Sequence, residues 1–375
     1  MRQFIEAEYE NMLKTLRELC AIPAPSGREE QRAAYVKRWL ENAGAENVYI
    51  DDALNVIYPV NCGGEDGFTV FCAHSDTVFP DLTPMPVTED DVYIASPGVG
   101  DDTASVVVLL YSIRYLLQND LLKKRRVMFV INSGEEGLGN LRGTRFLFET
   151  FGKRIKSFIS YDAEGLSRGT RDAVGSHRYK VKATTEGGHS FGAFGHESAV
   201  HALARIICAI YAIEVPRKTG TRTTYNVGTI EGGTSVNTIP QRAEMLCEYR
   251  SDDRECLAIM RQKFEDIFRA AQSEKVGIEV TPVGERPCSG DFDRAAQQKL
   301  MELVAGIEEE ITGTRPKFGS GSTDCNIPLS LGVNALCIGV YNGSGAHTRE
   351  ERVEKASLKP GLAISIQLIL RSTEA

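Results

Sequence analysis

The sequence lacks the features that mark secreted, membrane-bound or nucleic-acid-binding proteins. Its nine cysteines are an odd number and include no Cys-x-x-Cys pair, which argues against a disulfide framework and a thiolate zinc knot. It has no apolar stretch near the roughly 20 residues that span a bilayer, and its first residues carry acids throughout, unlike a secretory signal. The net charge of -8 is opposite to what nucleic acid or an anionic membrane requires. We therefore expect a cytoplasmic protein that binds neither nucleic acid nor membrane.

Length and pattern predict two domains, one inserted into the other. At 375 residues the chain is too long for one ordinary core. Strands alternate with helices up to about residue 170, and the apolar strands "RVMFVIN" and "SFISY" are typical of a sheet covered on both faces. From His177 to about Val283 the order becomes βαββαβ, a unit that can stand alone. We predict an α/β/α domain over 1–175 and 286–375, with an α+β, ferredoxin-like domain inserted at 176–285.

Local patterns predict where individual elements begin and end. Residues Phe4–Leu19 and Arg28–Ala43 have helical spacing, and the stretch "IPAPSG" separates the two helices. Ser26 is expected to cap the second helix. The segment "DDTASVVVLLYSIRYLLQN" predicts a buried helix that opens on Asp101 and Asp102, where the helix dipole favours negative charge. The glycine-rich "KFGSGSTDCN" predicts a loop.

Acidic residues and histidines of the larger domain follow its predicted strands. His74 and Asp76 come after "FTVFCA", Asp101 and Asp102 after "SPGVG", Glu135 and Glu136 after "VMFVINSG", Asp162 after "SFISY", and His347 after "ALCIGVYNGSGA". The carboxyl edge of an open α/β sheet is where such folds place ligands. Acids that converge there without cations would repel one another or stay protonated. Five loops that deliver such residues to one edge therefore predict a metal site.

Each of these residues has a simpler interpretation when it is taken alone. His74 could be a satisfied interior histidine, and Asp101 with the acid after it could be a helix cap. The Glu pair could be a solvated turn, Asp162 an ordinary strand-end residue, and His347 part of a plain loop. Their convergence on one edge favours the metal site over these separate explanations.

Several strings give the chain a family resemblance. They are "HSDTV", "GVGDDTASV", "SGEEG", "YDAEG", "EGGHS", "GGTSVNTIP", "EYR", "GSTDCNIPLSLG" and "GAHTREERV". With these strings in this order, the chain resembles the peptidase T-like metallopeptidases, whose superfamily also holds aminoacylases, carboxypeptidase G and succinyl-diaminopimelate desuccinylase. The resemblance covers nearly the whole chain. It implies a zinc-exopeptidase-like catalytic domain with an inserted lid domain, through which the protein forms a homodimer.

The resemblance also implies two zinc ions and a set of ligands. Asp101 would bridge the ions, His74 and Asp162 would complete the first site, and Glu136 and His347 would complete the second. Imidazole and carboxylate suit zinc, and Co2+ or Mn2+ could replace it. The family places a cis peptide bond after the bridging aspartate.

Two further residues are expected to act beside these ligands. Asp76 lies two positions after His74 and faces the same way in an extended stretch, so it can orient the histidine and raise its basicity. By the resemblance, Glu135 is the general base that takes the proton of a metal-bridging water and returns it to the leaving amine. Asp324 is a further candidate in the same cleft.

Three residues of the inserted domain resemble substrate-binding residues of the family. His189 resembles a histidine that reaches the site, often from a partner subunit, to stabilise the oxyanion, and Asn237 resembles its companion. Arg250 resembles an arginine that holds a substrate carboxylate. Their simpler interpretations are a strand-end histidine, a turn asparagine, and a surface arginine paired with Asp252 or Asp253.

The expected activity is removal of the N-terminal residue from short peptides, as in a tripeptidase or aminopeptidase. The aspartate at position 162 favours the aminopeptidase-like members, because the carboxypeptidase-like and aminoacylase-like members tend to use glutamate. A deacylase or carboxypeptidase acting on N-acylated amino acids is the alternative, followed by a non-catalytic binding protein. A serine nucleophile lacks its Gly-x-Ser-x-Gly setting. "GVGDDT" lacks the third glycine of a phosphate loop, and its acids would repel phosphate.

Overall fold

The structure is a computed structural model and describes residues 1–373 of the chain. Its helices are α1 Arg2–Cys20, α2 Glu30–Asn42, α3 Ser105–Gln118, α4 Arg142–Phe151, α5 Ala199–Tyr211, α6 Arg254–Ala271, α7 Arg294–Thr312, α8 Asn326–Ser330 and α9 Leu358–Ser372. Its strands are β1 Tyr49–Ile50, β2 Val56–Val60, β3 Phe68–His74, β4 Thr88–Glu89, β5 Tyr93–Ala95, β6 Val127–Asn132, β7 Ile155–Ser160, β8 Arg168–Ala173, β9 Gly175–Thr185, β10 Gly188–His189, β11 Thr223–Gly232, β12 Thr238–Ile239, β13 Arg242–Ser251, β14 Val276–Arg286, β15 Lys317–Gly321, β16 Asn334–Ile338, β17 Gly343–Ser344 and β18 Arg352–Glu354.

These elements form two units. One unit comprises Met1–Ala173 together with the chain from Gly290 onward, and the other is Val174–Ser289. The second unit is therefore an insertion between two parts of the first.

An eight-stranded sheet is the framework of the first unit, in the order β1-β2-β6-β3-β7-β16-β8-β15. At its centre β6, β3, β7 and β16 run parallel to one another, so their carboxyl ends lie at the same edge. The strands β1 and β2 extend the sheet in antiparallel fashion beyond β6. The parallel centre places the loops that follow its four strands side by side, which positions the candidate site.

Alternate residues of the central strands face two separate apolar cores. Phe71 and Phe129 belong to a core with residues of α1, α2, α3, α7 and α9, whereas Val70 and Val130 belong to a core with residues of α4 and α8. Because side chains on a strand alternate between its faces, the sheet lies between two layers of helices. All six residues of β6 are buried for this reason, and the strand is apolar throughout except at its last residue.

The inserted unit contains a four-stranded antiparallel sheet in the order β11-β13-β9-β14. With α5 after β9 and α6 after β13, it has the βαββαβ connectivity of a ferredoxin-like domain. Val181 of β9 packs in a core with Leu203 of α5 and Phe264 of α6, which gives this unit a core of its own. The predicted α/β fold with an inserted α+β domain is confirmed.

The start of α2 differs from the prediction. The helix begins at Glu30 with Glu29 at the N-cap position, and no side chain caps it. The Ser26 hydroxyl instead donates a hydrogen bond of 2.6 Å to the Asp76 carboxylate. The expected capping role of Ser26 is therefore wrong, because a distant acceptor binds its hydroxyl.

Two other boundaries also differ. The helix α3 begins at Ser105, because the backbone angles of Asp101 and Asp102 are not helical. The first part of the glycine-rich segment is the strand Lys317–Gly321 (β15), which pairs in parallel with β8. Backbone pairing with a neighbouring strand thus overrides the loop character of the glycines.

Among residues 1–373, no helix is both long and apolar enough to cross a bilayer. All nine cysteines lie in this part of the chain and carry free thiols, and Cys208 is the exposed one among them.

Candidate metal centre

Loops at the carboxyl edge of the central sheet, together with the turn before α3, bring the predicted ligands of the first unit and the predicted base together. The residues, with the elements that position them, are His74 at the end of β3, Glu135 and Glu136 after β6, Asp162 after β7, His347 after β16, and Asp101 in the turn before α3. Parallel strands account for the convergence of the residues after β3, β6, β7 and β16, because the loops that follow such strands leave the sheet at the same edge. Asp101 comes instead from the turn after β5, which lies between β4 and β18 in a different sheet.

Asp101 lies between the two histidines. Its Oδ1 is 2.9 Å from Nε2 of His74, and its Oδ2 is 3.0 Å from Nε2 of His347. The same nitrogen of His347 is 3.1 Å from Oε1 of Glu136, and Nε2 of His74 is 3.8 Å from Oδ1 of Asp162. A carboxylate with one oxygen toward each histidine has the form that a bridging ligand needs.

Two groups of potential ligand atoms are compact enough to surround a cation. One group is His74, Glu135 and Asp162, and the other is His74, Asp101 and Glu136; within each, the ligand atoms lie within 4.8 Å of one another. Glu135, the predicted base, thus lies within 4.8 Å of ligand atoms of His74 and Asp162. Metal content in a Glu135 variant separates the role of a ligand from that of a base.

Burial and mutual repulsion act on the carboxyl groups of this cluster. Burial raises the pKa of Asp162 well above its usual value, and the carboxylate of Glu135 raises it further. Burial also raises the pKa of Glu136 to about 7, against the opposing effect of its hydrogen bond with His347. Such carboxyl groups become fully ionised near neutral pH only when positive charge is brought close to them.

The histidines show the complementary effect. Burial alone would lower the pKa of His74, but its contacts with Asp101 and Asp76 raise that pKa well above the usual value. Hydrogen bonds with Asp101 and Glu136 raise the pKa of His347 to about 10. Protonated imidazoles are one way to compensate these carboxylates, and divalent cations are the other.

The donor set fits divalent cations of the zinc type. Imidazole nitrogens and carboxylate oxygens are typical zinc ligands, and metal–ligand distances near 2.0–2.1 Å place tetrahedral donors roughly 3.4 Å apart. The nitrogen–oxygen distances from His74, 2.9 Å to Asp101 and 3.8 Å to Asp162, lie on either side of that spacing. Small side-chain movements would therefore be enough to admit an ion.

The Asp76 carboxylate contacts the glutamate segment more closely than it contacts His74. Its oxygens accept hydrogen bonds from the backbone N–H groups of Glu135 and Glu136, each at 3.0 Å. His74 Nδ1 lies 3.0 Å from the backbone carbonyl oxygen of Asp76 and 3.6 Å from its carboxylate. The Asp76 backbone thus makes the shorter contact with the histidine, and the carboxylate fixes the segment that carries both glutamates.

Asp102 and Arg32 hold the end of β3 against the following turn. Asp102 Oδ2 accepts a hydrogen bond of 2.9 Å from the backbone N–H of His74, and the peptide bond before Asp102 is cis, as the resemblance implied. The buried Arg32 guanidinium donates to the Ser75 carbonyl at 2.8 Å and to the Thr103 hydroxyl at 3.2 Å. The backbone around His74 is therefore fixed from two directions.

Glu351, four residues after His347, holds the turn that carries Asp101. Its buried carboxylate accepts hydrogen bonds from the backbone N–H groups of Gly98 at 2.8 Å, Gly100 at 2.8 Å and Asp101 at 2.7 Å. A side chain from the His347 loop thus sets the backbone of the Asp101 turn.

Asp324 makes its hydrogen bonds with residues outside the ligand cluster. Its carboxylate accepts hydrogen bonds from the side-chain amide of Asn132 and from the hydroxyl of Thr144, the latter at 2.5 Å. The backbone carbonyl oxygen of Asn132 in turn accepts a hydrogen bond of 2.8 Å from the backbone N–H of Ser75. Asp324 therefore supports the carboxyl end of β6.

The sequence of the chain matches a known family model. The model of peptidase family M20/M25/M40 matches residues 70–371, which is most of the chain. The chain belongs to this family. Among its relatives is the succinyl-diaminopimelate desuccinylase of Corynebacterium glutamicum, which is 24% identical over 89% of this chain and 89% of that protein. As an M20 protein with such relatives, it is a metal-dependent hydrolase.

Solved structures of other M20 proteins share its fold. The aminopeptidase PepT of Bacillus cereus is 22% identical, with a TM-score of 0.71 over 96% of this chain and 98% of that one. A tripeptidase of Staphylococcus aureus is 23% identical, with a TM-score of 0.75 over 97% and 99%. The Bacillus subtilis YXEP protein, a dinuclear metal-binding peptidase of the M20 family, is 16% identical, with a TM-score of 0.62 over 98% and 99%.

Two residues predicted for substrate binding lie together in the inserted unit of this M20 chain. The short strands β10 and β12 pair His189 with Thr238, and the backbone N–H of Ser190 donates a hydrogen bond of 3.0 Å to the Asn237 carbonyl. His189 and Asn237 are both exposed. Nδ1 of His189 accepts hydrogen bonds from the N–H groups of Phe191 and Gly192, each at 3.3 Å, and Oδ1 of Asn237 accepts one of 2.9 Å from the Ser235 hydroxyl.

The ion-pair partner of Arg250 is not one of the two aspartates of its simpler interpretation. Its guanidinium donates to both carboxylate oxygens of Glu248, at 2.7 and 3.1 Å, rather than to Asp252 or Asp253. The two residues are two positions apart on β13 and therefore lie on the same face of the strand. A substrate carboxylate at Arg250 would have to share the guanidinium with Glu248.

Sequence reasoning missed the side chains that hold the loops of this M20 site. Glu351 is the last residue of the pattern "AHT-x-x-E" within the string "GAHTREERV", but the resemblance gave it no role. Glu29 stands three residues after Ser26, a spacing that is typical of a capping box. That spacing marks the segment as structured, but it indicates the wrong partners.

Proposed function

We propose that this M20 protein is an exopeptidase with two divalent metal ions, which removes the N-terminal residue of short peptides. Asp101 would bridge the ions, His74 and Asp162 would hold one, and Glu136 and His347 the other. The observation that carries the proposal is the position of Asp101, which directs one carboxylate oxygen to each histidine. The dinuclear site of the YXEP protein supports two ions rather than one.

Glu135 is the proposed general base. The ions, when bound, would polarise the scissile carbonyl group and lower the pKa of water. Glu135 is buried, and the hydrogen bond from its backbone N–H to Asp76 fixes the start of its side chain. From there its carboxylate would take the proton of the attacking water and deliver it to the leaving amine.

The choice of an N-terminal cleavage rests on similarity and on one ligand. The neighbours in fold include an aminopeptidase and a tripeptidase. The aspartate at position 162, where related deacylases and carboxypeptidases tend to have glutamate, agrees with them. We therefore expect hydrolysis to require a free N-terminal amine on the substrate.

A direct assay tests this proposal. The protein is stripped of metal and reloaded with zinc, cobalt or manganese, and each form is assayed on a tripeptide, on the same tripeptide with an acetylated N-terminus, and on a dipeptide. We expect the free tripeptide to be cleaved only by reloaded protein, and the acetylated one to be cleaved poorly. Efficient cleavage of the blocked peptide would contradict an aminopeptidase.

A deacylase is the second candidate function, because a desuccinylase is among the relatives. In that case N-succinyl or N-acetyl amino acids would be hydrolysed in preference to peptides with a free amine. Adding these substrates to the assay distinguishes the two functions within one metal-dependent reaction.

The inserted unit has a proposed role in assembly and substrate binding. We propose that the chain forms a homodimer through this unit, and that His189, Asn237 and Arg250 bind substrate as in the family. The acidic net charge, -8, and the free thiols agree with a cytoplasmic protein that acts on small substrates. Light scattering measures the molar mass, and a monomer would contradict the dimer.

Glu351→Gln should weaken metal binding. Its carboxylate accepts three backbone hydrogen bonds in the Asp101 turn. The amide nitrogen of glutamine cannot accept, so the variant would lose either the bond from Gly98 or the two bonds from Gly100 and Asp101. Loss of such an outer support typically costs about 10–100-fold in metal affinity. Titration of the stripped protein with zinc against a chelator measures the change. Glu350→Gln is the matched control at the exposed neighbour, and equal affinities in the two variants would contradict the role of Glu351.

A further inference from the structure

Four consecutive backbone N–H groups in the segment Ser133–Glu136 donate to side chains from other parts of the chain. The acceptors are Asn55 Oδ1 for Ser133 at 3.1 Å, Glu29 Oε1 for Gly134 at 3.0 Å, Asp76 Oδ1 for Glu135 at 3.0 Å and Asp76 Oδ2 for Glu136 at 3.0 Å. Each of the four N–H groups thus has its own acceptor atom, two of them on Asp76. The segment that carries Glu135 is therefore held residue by residue.

One acceptor of this set, Glu29, lies at the N-cap position of α2 and has no part in the proposed metal site. Its side chain is fully buried. Oε1 accepts hydrogen bonds from the N–H groups of Gly27 at 2.9 Å and Gly134 at 3.0 Å, and Oε2 pairs with Arg142 at 3.1 Å. One oxygen thus serves the backbone, and the other serves the ion pair.

The hydrogen bond to Gly134 acts directly on the backbone of Glu135. Gly134 has a φ of +63°, a conformation that side chains disfavour. Glu29 fixes the N–H of the peptide unit that precedes Gly134, and Asp76 fixes the N–H of the peptide unit that joins Gly134 to Glu135. The orientation of that peptide determines where the Glu135 side chain begins.

We propose that Glu29 is a positioning residue for the general base, acting through Gly134 to place the Glu135 carboxylate. This inference rests on the proposed function, because it takes Glu135 as the base. A displacement of about 1 Å in a catalytic group can cost about 100-fold in rate. Glu29 therefore contributes to turnover without touching substrate or metal.

Three substitutions separate this role from a purely structural ion pair. Glu29→Gln keeps an Oε1 that accepts from Gly27 and Gly134, but it removes the charge opposite Arg142. Glu29→Asp keeps the charge but withdraws the oxygens by about 1.5 Å, the length of one carbon–carbon bond. Glu29→Ala removes both functions. Glu30→Gln is the matched control, since Glu30 is the next residue and is exposed.

The metal-loaded variants are compared for kcat and KM on a tripeptide, zinc content and thermal midpoint. We expect kcat to fall about 10–100-fold in Glu29→Asp and about 100-fold in Glu29→Ala, with KM and zinc content within about twofold. We expect Glu29→Gln to keep kcat within about threefold and Glu30→Gln to match the wild type. A purely structural residue would lower the midpoint without this separation of kcat from KM.

The proposal is overturned if Glu29→Asp and Glu29→Gln have equal kcat values, and this pair decides the matter even if Glu29→Ala does not fold. Failure of the proposed function has a different signature, because Glu135→Gln would then keep its turnover. With Glu135→Gln inactive and all Glu29 variants at wild-type kcat, the function stands and the positioning role falls.

Discussion

Replacing Glu135 with glutamine should remove nearly all turnover and leave the metal content unchanged. Glutamine has the same shape, and the backbone hydrogen bonds from residues 135 and 136 to Asp76 remain. A neutral amide cannot take the proton of the attacking water, and general-base catalysis contributes about 10²–10⁴-fold. We therefore expect kcat to fall about 10³-fold or more, as measured on a tripeptide with zinc quantified in the same samples.

The zinc measurement decides between two roles for Glu135. Its carboxylate lies within 4.8 Å of ligand atoms of His74 and Asp162, so a ligand role predicts that the glutamine variant loses an ion. A variant that is inactive but fully loaded supports the base. Wild-type turnover in this variant would refute it, and Glu149→Gln, an exposed change on α4, controls for handling.

The architecture could be predicted from the sequence because the pattern of apolar residues along a strand or helix depends on which of its faces are buried. Strands covered on both faces must be apolar throughout, and the six-residue β6 is such a strand. The loops that follow parallel strands of this kind leave the sheet at one edge. The convergence of His74, Asp162 and the glutamates could therefore be predicted from the sequence. These inferences depend on repeated local patterns.

Adjacent acids mark the limit of that reasoning. In two adjacent pairs, Glu29 with Glu30 and Glu350 with Glu351, one member is buried and the other is exposed. Composition treats the members of a pair as equal. Turn geometry separates them, because the backbone directs Glu29 and Glu351 inward and leaves Glu30 and Glu350 exposed, and that geometry depends on residues far away in the chain.

Ser26 illustrates the same limit in a single residue. Its position before α2 and the glutamate three residues later are typical of a capping box. Instead, the Asp76 carboxylate, fifty residues away, accepts a hydrogen bond from the Ser26 hydroxyl. The Glu29 carboxylate accepts a hydrogen bond from the backbone N–H of Gly134 rather than from that of Ser26. A local motif predicts local partners, whereas a buried acceptor set around a functional loop selects partners across the fold.

Replacing Asp101 with asparagine should remove metal binding and activity together. One oxygen of Asp101 lies toward His74 and the other toward His347. Asparagine offers one oxygen and no charge, so it cannot bridge two cations. Loss of the ions removes several kcal/mol of transition-state stabilisation, so we expect kcat/KM to fall by about 10³-fold or more. Bound zinc per chain should fall from two ions to fewer than one.

Thermal stability in the presence of zinc gives an independent measure of the same loss. A ligand that binds only the folded state stabilises it by about 2.7 kcal/mol at 100 times its dissociation constant, so zinc should raise the thermal midpoint of the stripped wild type. In Asp101→Asn that increase should disappear, while Asp91→Asn, an exposed change in the same unit, should keep it. If Asp101→Asn still bound two ions with the wild-type increase, Asp101 would not be the bridge. Other carboxylates at this edge would then have to bind the two ions. The proposal that His74 binds one ion and His347 binds the other would also need revision.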